Sequence, residues 1–289
     1  MNKITIAFKT RTNLIEEFEK NENIELLKEQ SLMNKLSFKS RTYADIYFHS
    51  GTIDKDIILA IENAKIVIAS SNKSKQEIIK NTQIDENKIE VIYPAINEEY
   101  LKCSESKSIV SEQFNFDKNK RIILFTAKNF KQNGIKEFCD IIKSINYKNI
   151  QVLIAGDDTQ IAQLKFQASK YGFAQEVILI ENYPNMNLLF SAADIFLLPT
   201  HINGFSSNVL KAMFFKTAIF VSVNCASSEV LDVFSTLNSP EDRATPFKVD
   251  ALLANKEELK NVKKQNRKES KKYLLENKIE QLFNLVDKI

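Results

Sequence analysis

The sequence predicts an α/β protein with two doubly wound domains, each a parallel sheet flanked by helices. Three observations carry this expectation. From residue 121 onward, short apolar runs rich in branched residues alternate with segments of helical period, the pattern of right-handed βαβ units. The first hundred residues show the same theme in shorter form. The length of 289 residues suits two domains, at roughly 150 residues each.

The elements follow in order. Ile4 to Phe8 reads as a first strand, and the charged stretch Asn13 to Met33 as a helix. Ala44 to Phe48 and Lys65 to Ser70 are two more strands, and a helix is expected from Lys73 to Asn81. Lys88 to Pro94 closes this domain, predicted to span residues 1–100. The following stretch is polar, with little apolar content, and reads as a linker over 101–119. The second domain, 120–270, opens with the apolar run between Arg121 and Lys128, as in a buried strand. Ile135, Phe138, Ile141, Ile142 and Ile145 then fall three and four apart, one face of a helix. Strands are expected at Gln151 to Asp157, Glu176 to Glu181, Asp194 to His201 and Thr217 to Asn224. Helices are expected at Ile161 to Tyr171 and Ser206 to Phe215, and a loop from Asp232 to Phe247. In the tail, 271–289, Leu274, Leu275, Ile279, Leu282, Phe283, Val286 and Ile289 form an apolar stripe that needs a partner surface.

Composition removes several function classes. Apolar residues make up 44% and charged residues 27%, which excludes a disordered or collagen-like chain. The net charge is only +3, weak grounds for a nucleic-acid partner, whose site is expected to be a concentrated basic stripe. Three widely spaced cysteines and two histidines give neither a disulfide framework nor a zinc pattern. They fit a reducing, cytosolic setting, with the cysteines as small core residues. The apolar run near the N-terminus stops at Lys9, too short for a signal peptide. No run reaches the roughly 18 apolar residues of a membrane span.

In doubly wound sheets, ligands bind outside the carboxyl ends of the strands. The loop after Pro199 is therefore the most informative segment. It contains Gly204, then Ser206, Ser207 and Asn208 ahead of an apolar helix. Ser and Asn cap helices well. The free N–H groups and dipole of such an end attract phosphate, although a plain capped helix has the same composition.

This stretch resembles the donor-binding segment of the retaining family-4 glycosyltransferases of the GT-B fold. That family has a strand ending in Pro-Ser, then Glu-Gly-Phe-Gly, then a helix containing Leu-Glu-Ala-Met. Here the corresponding residues are Pro199-Thr200, Asn203-Gly204-Phe205-Ser206 and Leu210-Lys211-Ala212-Met213. The likeness continues to Glu229-Val230, where the family has a Gly-Gly-x-Pro-Glu turn. Upstream, Leu124 to Gly134, Ile154 to Asp158, Ser191 to Thr200 and Ile92 to Asn97 resemble further family motifs, so the match covers roughly residues 60 to 285. The resemblance implies a GT-B-like pair of Rossmann-like domains with an abbreviated N-terminal, acceptor-side domain. It also implies that the C-terminal helix crosses back to pack on that first domain.

The implied activity is a hexosyl-type glycosyltransferase of glycan biosynthesis. It would move a sugar from a nucleotide-diphosphate-sugar donor to a saccharide or glycoconjugate acceptor, with retention. The implied catalytic residues are His49, Glu229 and Lys128. The implied donor-binding residues are Lys128, Lys131, Gly134, Asn203, Gly204, Phe205, Ser206, Ser207, Asn208, Val209 and Lys211. The chain departs from the family at several of these positions. The family's two glutamates fall at Asn203 and Lys211, and its phosphate-binding Arg and Lys at Lys128 and Asn133, with Lys131 close enough to substitute for the latter. Its glycine pair falls at Cys225-Ala226. His49 corresponds to a loop histidine often found near the reacting sugar, and an ordinary loop histidine is the other reading. His201 matches no functional position of the family. Asp157 and Asp158 read as solvated turn acids. No metal and no cofactor are expected, because cations and a helix terminus would stabilise the leaving phosphate. The expected location is cytoplasmic, at the inner face of the membrane if peripherally associated. The alternative function is a catalytically degenerate GT-B protein that stabilises or recruits an active partner glycosyltransferase. A nucleotide-sugar epimerase is a further GT-B reading.

Overall fold

A computed structural model describes residues 3–27, 42–167 and 177–286. The chain divides into two compact units, one of residues 1–97 with 273–289 and the other of residues 98–272.

In the first unit, β1 (Ile4–Phe8) pairs in parallel with β2 (Ile24–Leu26) and with β3 (Ile46–Phe48). β4 (Ile66–Ala69) and β5 (Ile89–Val91) extend the sheet, giving the order β2-β1-β3-β4-β5 among the described residues. This is the flavodoxin-like order, whose direction reverses between β1 and β3. Among the described residues ahead of the second unit, the helices are α1 (Asn13–Phe18), α2 (Lys55–Asn63) and α3 (Asn72–Asn81). Their ends are fixed by side-chain caps: Thr12, Asp54 and Ser71 accept from Ile15, Ile57 and Ser74 N–H respectively, each satisfying an otherwise orphaned donor. The helix expected over Asn13 to Met33 stops at Phe18. A turn follows, and Ile24 pairs with Ile4 in a strand that sequence reading missed; the rest of that expectation lies outside the described residues.

The tail belongs to this unit. Ile96 accepts from Leu275 N–H at 2.9 Å and donates to Tyr273 O at 2.7 Å. α11 is numbered last in the chain and spans Leu275–Val286. It lays Leu282 and Leu285 into the core formed by Ile6, Leu14, Ile15, Phe18 and Phe48. Phe283 meets Phe18 with ring centroids 5.3 Å apart. The crossing helix is thus observed, and its apolar stripe is covered; Ile289 lies outside the described residues.

In the second unit, β6 (Arg121–Thr126), β7 (Ile150–Gly156), β8 (Val177–Glu181), β9 (Ile195–Leu198), β10 (Ala218–Ser222) and β11 (Thr236–Leu237) form a parallel sheet. Its order is β11-β10-β9-β6-β7-β8. Counted from β6, this is the Rossmann order 3-2-1-4-5-6, and it reverses between β6 and β9. The expected near-continuous apolar strands are buried on both faces: Ile122 to Phe125 and Ile195 to Leu197 are fully inaccessible. Among the described residues its helices are α4 (Cys103–Gln113), α5 (Ile135–Ser144), α6 (Asp158–Phe166), α7 (Met186–Ala192), α8 (Ser207–Phe214), α9 (Thr245–Ala254) and α10 (Lys256–Ser270).

Two expectations are corrected here. The stretch 101–119, expected to be a linker, contains α4, and Ser191 Oγ donates to Leu101 O. The helix was hidden because its buried positions are Ser106, Val110 and Ser111, small and mostly polar, which leaves little apolar period to read. The stretch 232–247, expected to be a loop, contributes β11 and the first turn of α9.

Asp194 anchors the lower, N-terminal end of this sheet. Its carboxylate is buried and meets Lys107 at 2.8 Å, Lys263 at 3.0 Å and Arg121 at 3.4 Å, and it accepts from Ile122 N–H at 3.1 Å. Burial alone would raise its pKa. Lys263, Lys107 and the Ile122 amide outweigh that and hold the carboxyl far below its usual range.

Candidate active site

The carboxyl ends of β6 and β9 frame the switch point of the second sheet. The loop after β6 carries Lys128, Lys131 and Gly134; the loop after β9 carries Thr200 to Ser206. Gly134 explains how the two loops come together. It has φ +77°, and a Cβ placed there would lie 1.8 Å from Pro199 O, so only glycine allows this backbone approach. Asn133 is buried beside it. Thr200 Oγ1 donates to Asn133 Oδ1 at 3.0 Å, and Asn133 Nδ2 donates to Asn129 O at 2.8 Å. His201 N–H donates to Gln132 O at 3.0 Å. Asn133, in the position of a family phosphate-binding lysine, is therefore a clasp between loops. Gly156, at the end of β7, makes room for Phe130, whose ring a Cβ there would meet at 2.4 Å.

Lys128 and Lys131 project from this clasped loop. Both are exposed, and neither side chain has a hydrogen-bond or ion-pair partner among the described residues. Asn208, in the first turn of α8, donates from Nδ2 to Thr126 O at 3.3 Å. The start of α8 is thereby tied to the end of β6.

The segment Asn203 to Ser206 is stitched to the turn after β10. Ala226 N–H donates to Asn203 O at 2.9 Å, Cys225 Sγ to Gly204 O at 3.2 Å, and Ser206 N–H to Ser227 Oγ at 2.6 Å. Asn224 Nδ2 reaches Asn203 Oδ1 at 3.3 Å. The Ser206 amide is therefore already engaged within the protein. Val209 N–H turns back to Ser206 O. The anion-binding potential of this helix end rests on the Ser207 and Asn208 amides, which have no acceptor within the helix. Cys225 and Ala226 fill the family's glycine positions as buried residues, and Glu229 sits half-buried in the next turn.

Lys211, in the position of the family's second glutamate, has its Nζ 2.5 Å from Glu98 Oε1, and Glu98 Oε2 accepts from Asn187 Nδ2 at 2.5 Å. The departure from glutamate at 211 is matched by a carboxylate from elsewhere in the chain. Glu98 is a residue sequence reading missed, and an ion pair spanning this much chain leaves no local signal. Gly204 is exposed, Phe205 half-buried and Val209 fully buried, so Val209 can offer only backbone.

His49 belongs to the first unit and is described within it. It follows β3 at the β1/β3 reversal, with Thr10, Thr12, Ser50, Ser70 and Pro94 around a small cavity of about 80 Å³. The ring is buried, and its Nδ1 has no hydrogen-bond partner among the described residues. Burial, reinforced by the charge of Lys9, lowers its pKa; the Gly51 backbone opposes the shift in part. The net effect favours the neutral imidazole.

Metal-ligand geometry exists in one place among the described residues. Glu137, His201 and Glu241 bring one ligand atom each within 4.8 Å of one another. His201 Nε2 lies 3.4 Å from Glu137 and 4.0 Å from Glu241, spacings that also suit a surface ion pair when the imidazole is protonated.

The two parallel sheets, with interleaved helices and a returning C-terminal helix, are those of a GT-B glycosyltransferase. The profile of the family "Glycosyl transferases group 1" matches residues 106–269, and the chain belongs to that family. It is 32% identical over 164 residues to the Campylobacter jejuni N,N'-diacetylbacillosaminyl-diphospho-undecaprenol alpha-1,3-N-acetylgalactosaminyltransferase, covering 52% of this chain and 40% of that protein. The match thus spans about two fifths of that relative's length. Anabaena HepE in complex with UDP superposes with a TM-score of 0.74 at 11% identity, covering 98% of this chain and 92% of HepE. WaaG, a glycosyltransferase involved in lipopolysaccharide biosynthesis, gives 0.71 at 13% identity, covering 97% and 98%. Among the described residues, no helix is long and apolar enough to cross a membrane.

Proposed function

We propose that this glycosyltransferase binds a nucleotide-diphosphate-sugar in the β6/β9 crevice and transfers its hexosyl-type sugar, with retention, to a saccharide or glycoconjugate. The observation that carries this reading is the pairing of two unpartnered lysines, Lys128 and Lys131, with the open amide end of α8 across one switch point. As the glycosidic bond to the diphosphate breaks, negative charge grows on the leaving oxygens. Fixed cations and backbone amides stabilise that charge without having to reorganise. Asn203 and Glu229 would hold sugar hydroxyls, and the Gly204-Phe205 backbone would line the same loop. Glu98, oriented by Lys211 and Asn187, would supply the acceptor carboxylate that residue 211 no longer provides. His49, neutral and with an open ring nitrogen, is the acceptor-side candidate in the first unit. No metal enters this mechanism.

The Campylobacter relative transfers N-acetylgalactosamine to a diphospho-undecaprenol-linked sugar, and HepE was solved with UDP. These make a UDP-N-acetylhexosamine the first donor to test and a polyprenyl-diphosphate-linked sugar the first acceptor. Such an acceptor would bring the protein to the inner face of the membrane from the cytoplasm. Calorimetric screening against a panel of nucleotide sugars tests donor binding directly.

One observation favours the second reading, a non-catalytic partner of an active transferase: both family glutamates are replaced, at Asn203 and Lys211. Turnover separates the two. Weak but measurable native transfer supports the enzyme. Absence of native transfer with every donor, together with its appearance in Asn203→Glu/Lys211→Glu, supports the degenerate partner.

A further inference from the structure

A second cluster of cations lines a cavity at the opposite end of the same sheet. Around the N-terminal ends of β6 and β9, a cavity of about 530 Å³ opens beside Asp194. Its lining cations include Arg121 and Lys263 from the Asp194 cluster, and Lys256, Lys260 and Lys264 from α10. Lys216 and Lys102, the latter paired with Glu105 at 2.9 Å, add two more, and Asp194 is the one carboxylate among the described lining residues. Tyr100 and Leu259 supply an apolar wall.

Three features show that this charge is more than a solvated helix face. Asp194 already meets three cations, so it cannot neutralise the rest. Lys256, Lys260 and Lys264 recur at intervals of four on one face of α10, a like-charge spacing that destabilises a helix. Only Lys260 has an acidic neighbour, Glu257 at 3.6 Å; Lys256 and Lys264 have none among the described residues. Finally, Arg267 lies over the Tyr100 ring at 4.4 Å and the Phe214 ring at 3.7 Å. Its Nη1 is buried without a hydrogen-bond partner, so a further cation backs the Tyr100 wall.

We propose that this cavity binds a compact ligand carrying at least two phosphate charges, with an apolar portion against Tyr100 and Leu259. The volume suits such a ligand, since small-molecule sites run roughly 300–1,000 Å³. The cavity is separate from the donor crevice, which lies at the carboxyl ends of the same strands. The phosphate could belong to a soluble metabolite or to the headgroup of an anionic phospholipid.

The test uses the full chain and a Lys256→Gln/Lys260→Gln/Lys264→Gln variant, whose substituted side chains are exposed and outside the proposed donor machinery. Tripolyphosphate is titrated by calorimetry into wild type, this variant and Lys128→Ala, with melting temperatures as a folding control. The expected result is a salt-sensitive binding component weakened about tenfold or more in the triple variant, as lost charge-assisted contacts imply. Lys128→Ala should leave that component intact. Sedimentation with phosphatidylglycerol–phosphatidylcholine vesicles, against phosphatidylcholine alone, then assigns the source. Vesicle binding that the triple variant loses identifies a lipid headgroup, and tripolyphosphate binding without vesicle binding identifies a soluble ligand; either supports the site. Equal tripolyphosphate affinity in wild type and the triple variant would overturn it, as would a wild type whose only binding component disappears in Lys128→Ala.

Discussion

The two ends of the second sheet use charge in opposite ways. At the carboxyl ends of β6 and β9, neutral contacts carry the structure: Gly134 against Pro199, Asn133 on Thr200, and Ser227 on the Ser206 amide. Lys128 and Lys131 are left unpartnered. At the amino ends, a single buried carboxylate gathers Lys107, Lys263 and Arg121. Where charge is structural, removing it should unfold the protein; where charge awaits a ligand, removing it should change binding alone.

The largest expected effect is at Asp194. Asp194→Ala would leave three partly buried cations without their counter-ion, and breaking a buried pair costs about 3–5 kcal/mol. Chemical denaturation should register that loss. The pH dependence has a defined sign. The folded pKa is depressed, so the stabilisation is fully present above the unfolded carboxyl pKa of about 3.9 and is lost as pH falls from there towards the folded value. A variant as stable as wild type would mean the cluster is not structural.

Gly134→Ala comes next. The added methyl would collide with Pro199 O and take φ +77°, so the loops must part. A cost of about 1–3 kcal/mol is expected for overpacking of this kind, together with loss of donor binding. Unchanged calorimetric affinity in a folded Gly134→Ala protein would separate the clasp from the site.

A smaller effect is expected at the other sheet's switch point. His49 should titrate below 6.5, its ordinary value, when followed by proton NMR. Its stability contribution is complete above the unfolded value and is lost as pH falls towards the folded one. A midpoint at or above 6.5 would mean that the ring is solvated or paired with an acid.

These contrasts also show what the sequence could reveal. The long strands were legible because both faces are buried, so Ile122 to Phe125 and Val152 to Ala155 read as continuous apolar runs. β2 was missed because three residues, Ile24 to Leu26, carry too little pattern and their pairing with β1 is set at a distance. The last helix was legible from its apolar stripe, whereas its return to the first domain was implied by the family resemblance. The donor loop was recognised by motif, but its wiring was not. Ser227 on the Ser206 amide and Glu98 on Lys211 are side-chain contacts between segments distant in sequence, and no local period records them. Cys139 fits its expected role as a small core residue: burial pushes its thiol up to about 12.

The central claim is that unpartnered charge in the β6/β9 crevice serves a diphosphate. Calorimetric titration of UDP-N-acetylgalactosamine and related nucleotide sugars into wild type and Lys128→Ala tests it most directly. Loss of one charge-assisted hydrogen bond should weaken binding by about 1.5–3 kcal/mol, while melting temperature stays as in wild type. Equal donor affinity in the two proteins, or no binding of any nucleotide sugar to wild type, would contradict the account.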